Sequence, residues 1–150
     1  MTEKQPLFDK LTKKGWKFIM SKVTEIVEYL TEAQVMYMST IDGHQPKVRP
    51  IGFIMEFEGS AYFTTGKGGP IHKELHANPH FEVATMHPTK PFHRIRFSGK
   101  AVFDASTEAF EKYFEKNPNL RGVEGIDLYR VDEWKATIYE GHQDRRTIEQ

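Results

Sequence analysis

From Gln34 onward the chain is patterned in twos. Short runs with an apolar residue at every second position alternate with turn dipeptides, the rhythm of half-buried β-strands. The cleanest run is Phe92–Phe103, where Ile95, Phe97, Gly99, Ala101 and Phe103 share one face and Arg94, Arg96, Ser98 and Lys100 the other. Further runs cover Gln34–Ile41, Lys47–Phe57, Ser60–Thr65 and His80–His87. Two last ones, Asp127–Val131 and Trp134–Tyr139, flank a turn expected near Asp132-Glu133. Asp42-Gly43 and Glu58-Gly59 are turn signals between neighbouring strands. Strands joined mostly by short turns make a mainly antiparallel sheet, and such a sheet avoids exposed edges by closing into a barrel.

The period lengthens to that of a helix in three places. Ile19, Val23, Ile26, Val27 and Leu30 form one stripe in a helix expected from about Phe18. A short helix over Pro70–Ala77 begins on a proline, which suits a first turn, and stops at Asn78-Pro79. A third starts at Ser106 or Thr107 as cap and runs to about Lys116, with Phe110, Tyr113 and Phe114 inward. The expected organisation is a polar, lysine-rich extension at 1–17, one domain over 18–141, and a polar tail at 142–150. A chain of 150 residues is long enough to bury a real core without staples.

Composition removes several functions. Without cysteine there is no disulfide, thiolate metal site or cysteine nucleophile. Lysine and arginine number 21, as do aspartate and glutamate, a balance that argues against general nucleic-acid affinity. The N-terminus carries Glu3, Lys4, Asp9 and Lys10 and no long apolar run, so neither a secretory signal nor a membrane-spanning helix is expected. A cytoplasmic protein is the expectation.

Two charges sit where packing alone would not put them. In a regular strand Arg49 shares its face with Ile51, Phe53, Met55 and Phe57. A guanidinium there needs an anion, because an unpaired buried charge is costly. It pairs with a bound ligand or with a carboxylate of the chain, or else a bulge at Pro50 turns it outward. The second place is the start of the short helix. Helix N-termini favour acidic residues, yet Lys67-Gly68-Gly69-Pro70 leads in and His72-Lys73 follow. With Thr64 and Thr65 just before, backbone N–H groups, hydroxyls and lysines form a phosphate cradle, although the spacing is not that of a P-loop. His72 and His76 stand four apart, a metal-ligand spacing, but no third ligand is evident and no metal is expected. No Gly-x-Ser-x-Gly elbow exists. No residue must act as acid or base, so none is named catalytic.

Six segments carry a resemblance in a fixed order over roughly residues 33–140. They are Met36-Tyr37-Met38-Ser39-Thr40 with Asp42-Gly43; Pro46-Lys47-Val48-Arg49-Pro50-Ile51-Gly52-Phe53; Tyr62-Phe63-Thr64-Thr65-Gly66; Lys73-Glu74-Leu75 with Ala77-Asn78-Pro79; Ile95 to Ala101; and Ala136-Thr137-Ile138-Tyr139. Together they resemble the pyridoxamine 5′-phosphate oxidase-like family of FMN-binding split barrels. The resemblance implies a mainly β (α+β) fold: a six- to seven-stranded antiparallel split β-barrel with flanking short helices. It implies a homodimer with FMN at the subunit interface and a small-molecule substrate. Arg49, Thr64, Thr65 and Lys73, with Lys67 and His72 beside them, would hold the phosphate or ribityl chain. The backbone near Pro50 and Ile51 would face the isoalloxazine edge, and the partner chain would add Arg96. The true oxidase grips its substrate phosphate with further arginine and histidine residues near its C-terminus, which Gly141-His142-Gln143-Asp144-Arg145-Arg146 does not resemble. The expected activity is therefore a flavin-dependent oxidoreductase acting on a different small molecule. The alternatives are a non-catalytic flavin store or sensor, and a haem-binding barrel with His72 or His76 as ligand.

Overall fold

The strands pair into one antiparallel sheet that returns to its own start. The computed structural model describes residues 21–150. Its helices are α1 (Thr24–Ala33), α2 (Pro70–Ala77) and α3 (Thr107–Lys116). Its eight strands are β1 (Met36–Asp42), β2 (Gln45–Ile51), β3 (Ile54–Phe57), β4 (Ser60–Gly66), β5 (His80–Met86), β6 (His93–Phe103), β7 (Ile126–Glu140) and β8 (Arg145–Glu149). The hydrogen-bonded order is β2-β1-β5-β6-β7-β4-β3, with β8 on β7. The two ends of that path, β2 and β3, are consecutive in the chain, so the sheet closes through Gly52-Phe53.

This closure explains the first departure from the sequence pattern. Lys47–Phe57 reads as one strand but is two. β2 pairs with β1 and β3 pairs with β4, so the chain must leave one partner and join another between Ile51 and Ile54. The second departure is the expected turn at Asp132-Glu133, which does not reverse the chain. β7 continues through it with a bulge, Glu133 taking φ 48°, and the register against β6 shifts between Ser98 and Lys100. Gly99 lies at the pinch. A Cβ there would come within 2.8 Å of Val131 Cγ1 and 3.0 Å of the Asp132 carbonyl. The third is the polar tail, where Arg145–Tyr139 to Glu149–Lys135 pairing makes an eighth strand. β8 occupies the half of the β7 edge that β4, paired only to Ile126–Arg130, leaves open.

Inward residues of the barrel strands, among them Met38, Phe63, Val83, Ile95, Phe97, Tyr129 and Ala136, form the main core with Ile26, Val27 and Leu30 of α1. Each fully buried side chain of this size contributes roughly 1.5–3 kcal/mol. A second cluster of Met55, Tyr62, Ala109, Tyr113 and Leu128 seats α3 outside β3 and β4. The helix expected from Phe18 is described from Thr24, behind a turn at Ser21–Val23; Phe18, Ile19 and the 1–17 extension lie outside the described residues. β1 begins at Met36 because Gln34, with φ 69°, caps α1 and returns its N–H to the Thr31 carbonyl.

Candidate functional site

One end of the barrel is built from the last residues of β1, β4 and β6 and the first of β2, β5 and β7. Helix α2 lies across this end, touching β1 and β4, with Leu75 in the core. Two polar tethers fix it there.

The first tether holds Arg49. Its Nη2 donates to Glu74 Oε2 at 2.6 Å, its Nη1 donates to the Thr40 hydroxyl, and that hydroxyl donates to the same Glu74 oxygen at 2.8 Å. Glu74 and Thr40 are buried, and the Arg49 side chain is 22% exposed. The guanidinium thus faces inward as the strand period requires, and of the readings left open for it the internal carboxylate is the one present. Among the described residues only two of its five N–H groups are taken.

The second tether holds His72. Its Nδ1 lies 2.8 Å from Asp127 Oδ2 and 2.8 Å from the Tyr129 hydroxyl. Asp127 is buried and also accepts from the Gly68 N–H at 2.8 Å, so one carboxylate ties the glycine loop to the helix. Burial, reinforced by the Asp127 charge and opposed by the Thr65 hydroxyl, pushes the Tyr129 phenol up to about 12. Phe103 stands edge-on to His72 and lies 5.8 Å from His76.

Between the tethers the start of α2 is built for an anion. Gly69 is its N-cap, no side chain caps it, and its first turn holds no acid. Gly68 takes φ +63° to make the approach. Lys67 and Lys73 are exposed, and among the described residues no carboxylate pairs with either. Thr65 is 7% exposed, and its Oγ1 makes no hydrogen bond of ordinary geometry. These residues therefore fit a phosphate.

The structure brings Arg49, Thr65, Lys67, His72 and Lys73 to this one end, around α2; Thr64 lies at the same end of β4 but on its opposite face, the side of Tyr62 and α3. Pro50 is exposed beside Arg49, whereas the Ile51 side chain belongs to the core. Arg96 is elsewhere. It lies on the outer face of β6, paired to Glu82 at 2.6 Å, in a groove of about 450 Å³ shared with Tyr139 and Arg145. Glu74, Thr40, Asp127 and Tyr129 are not among the residues expected from sequence. Glu74 had a signal: with Ile71 and Leu75 it falls at i, i+3, i+4 on the apolar stripe of α2. Asp127 had one too, since it shares the parity of inward Tyr129 and Val131.

The sequence pattern of the pyridoxamine 5′-phosphate oxidase family matches residues 23–135, which include both tethers. The chain belongs to that family. No curated protein matches it. Solved structures place the family fold beyond doubt. A NimC/NimA family protein from Clostridium acetobutylicum is 25% identical with a TM-score of 0.78, over 87% of this chain and 95% of that one. The General Stress Protein 26 of Bacillus anthracis is 13% identical with a TM-score of 0.66, over 86% and 96%. A heme binding protein from Mycobacterium smegmatis is 12% identical with a TM-score of 0.66, over 87% of this family member and 58% of that longer chain. No helix among the described residues is long and apolar enough to cross a membrane.

Proposed function

We propose that this family member binds FMN by its phosphate at the start of α2 and works as a flavin-dependent oxidoreductase on a small molecule. The carrying observation is the uncapped start of α2, with no acid in its first turn and with Lys67 and Lys73 beside it, neither paired to a carboxylate among the described residues. Lys67 and Lys73 supply positive charge, Thr65 a hydroxyl, and Arg49 its remaining N–H groups. Glu74 holds the guanidinium in place, and Asp127 shapes the loop through Gly68. The flavin, when bound, supplies the hydride and electron chemistry. The backbone of Pro50 and Ile51 borders the ring edge.

The second subunit is part of the proposal. Outward residues of three adjacent strands leave Val48 of β2 at 70%, Tyr37 of β1 at 53% and Met86 of β5 at 54% exposed. Contiguous apolar surface of this kind marks an interface. The face continues to Arg96, which a homodimer would carry to the partner's flavin. A spectrum of the purified chain tests the reading: bands near about 375 and 450 nm indicate flavin, while a strong Soret band indicates the haem alternative. Lys73→Ala, at an exposed residue with no ion-pair partner among the described residues, should weaken FMN binding by about tenfold to a hundredfold, or roughly 1.5–3 kcal/mol. Unchanged affinity in that variant overturns the site.

A further inference from the structure

The two histidines of α2 are prepared in the same way. His76 Nδ1 lies 2.8 Å from the His72 carbonyl oxygen, which can only accept, so Nδ1 carries the proton. His72 Nδ1 lies 2.8 Å from the Asp127 carboxylate, again an acceptor, and the Tyr129 oxygen at the same nitrogen shares that hydrogen. Both neutral rings therefore keep their lone pair on Nε2. The rings are neighbours, with centroids 4.0 Å apart and planes inclined by 33°. His76 is exposed and the His72 side chain is 27% exposed, so the pair is reachable from solvent. An imidazole whose other nitrogen donates to a carboxylate or a carbonyl is the usual state of a metal-bound histidine.

We propose that His72 and His76 form a two-nitrogen site for a divalent late transition metal ion, with Asp127 as the positioning residue. Imidazole nitrogens and the affinity order of these ions favour Cu(II) over Zn(II). No group of three or more His, Asp or Glu among the described residues is placed to hold a metal. The described residues thus give two ligands, and water or another donor fills the remaining positions, leaving the ion open to exchange. The proposal needs only the two imidazoles, so it stands or fails apart from the FMN reading, although His72 lies beside the phosphate cradle.

The experiment titrates the flavin-free, full chain with Cu(II) chloride and with Zn(II) chloride, followed by calorimetry and, for copper, by electron paramagnetic resonance. The chain has seven histidines, so variants decide. The expected result is a strongest copper site with two nitrogen ligands that is lost in His76→Gln, a surface change that leaves the fold intact. His72→Gln should lose it equally. Asp127→Asn should keep the two-nitrogen spectrum and weaken binding by about tenfold to a hundredfold. A His76→Gln chain with the parent's copper affinity and spectrum overturns the site. Parent-like affinity in Asp127→Asn overturns the positioning role.

Discussion

Arg49–Glu74 and Arg96–Glu82 are ion pairs of the same length, 2.6 Å, in different places. The first sits under α2, with side chains 22% and 7% exposed. The second sits on the outer sheet face, at 56% and 39%. Distance is thus no guide to energy here; burial is. Exposed pairs contribute about 0–1 kcal/mol, whereas stranding one partner of a buried pair costs about 3–5 kcal/mol. The largest expected effect follows. Arg49→Ala takes the countercharge from Glu74, which keeps only the Thr40 hydroxyl as donor, and leaves the Thr40 oxygen without one; it should lower stability by about 3 kcal/mol, read from the urea midpoint. Pairing Arg49→Met with Glu74→Leu removes both charges and should restore most of that loss while still weakening FMN binding. A loss below about 1 kcal/mol in Arg49→Ala would break the comparison.

The same contrast explains what could be read in advance. β6 was legible because one face is core and the other solvent, so every second residue reports its environment. β8 was not, because it adds only Ile148 to an edge already built, and Arg145, Arg146 and Thr147 carry no alternation. The bulge in β7 looked like a turn because Asp132-Glu133 is turn-like locally; the clash a Cβ would meet at Gly99, 34 residues upstream of the flexed Glu133, decides otherwise. At the site, period two and helix-end electrostatics singled out Arg49, the threonines and Lys73 as candidates. The partners Glu74 and Asp127 come from other elements, and which elements meet at the barrel end is a matter of topology. Arg96 was legible as a charge on the polar face, but what it reaches depends on a second chain.

A third pair lies between the two extremes. Arg130 grips Asp132 with two hydrogen bonds of 2.9 and 3.0 Å, at 37% and 34% exposure. The hydrogen bond from Arg130 holds the Asp132 carboxyl below its ordinary value, against the opposing effect of burial. A carboxyl lowered by folding stabilises above its unfolded pKa, about 4, and that stabilisation disappears as pH falls through the lowered value. Arg130→Ala should therefore cost something at pH 7, below about 1 kcal/mol after solvent screening, and less near pH 2. Thermal midpoints at the two pH values check this. An equal loss at both would assign the effect to packing of the arginine stem instead of charge.

The smallest expected effect also probes the most. Arg96→Ala, judged on a single chain, removes one exposed pair and should cost at most about 1 kcal/mol. That figure holds only while the outer face of β1, β2, β5 and β6 meets water. In the proposed homodimer the same face would be covered, Arg96 and Glu82 would lose their solvent, and the pair would move towards the energetics of Arg49–Glu74. The two cases separate by protein concentration. With dilute, monomeric protein the variant should melt within about 4 °C of the parent. At concentrations where the dimer forms, the gap should widen, and FMN affinity should fall with it. A gap that stays small at every concentration, with flavin affinity unchanged, would mean that Arg96 faces solvent in the working protein and that the flavin site is completed by some other surface.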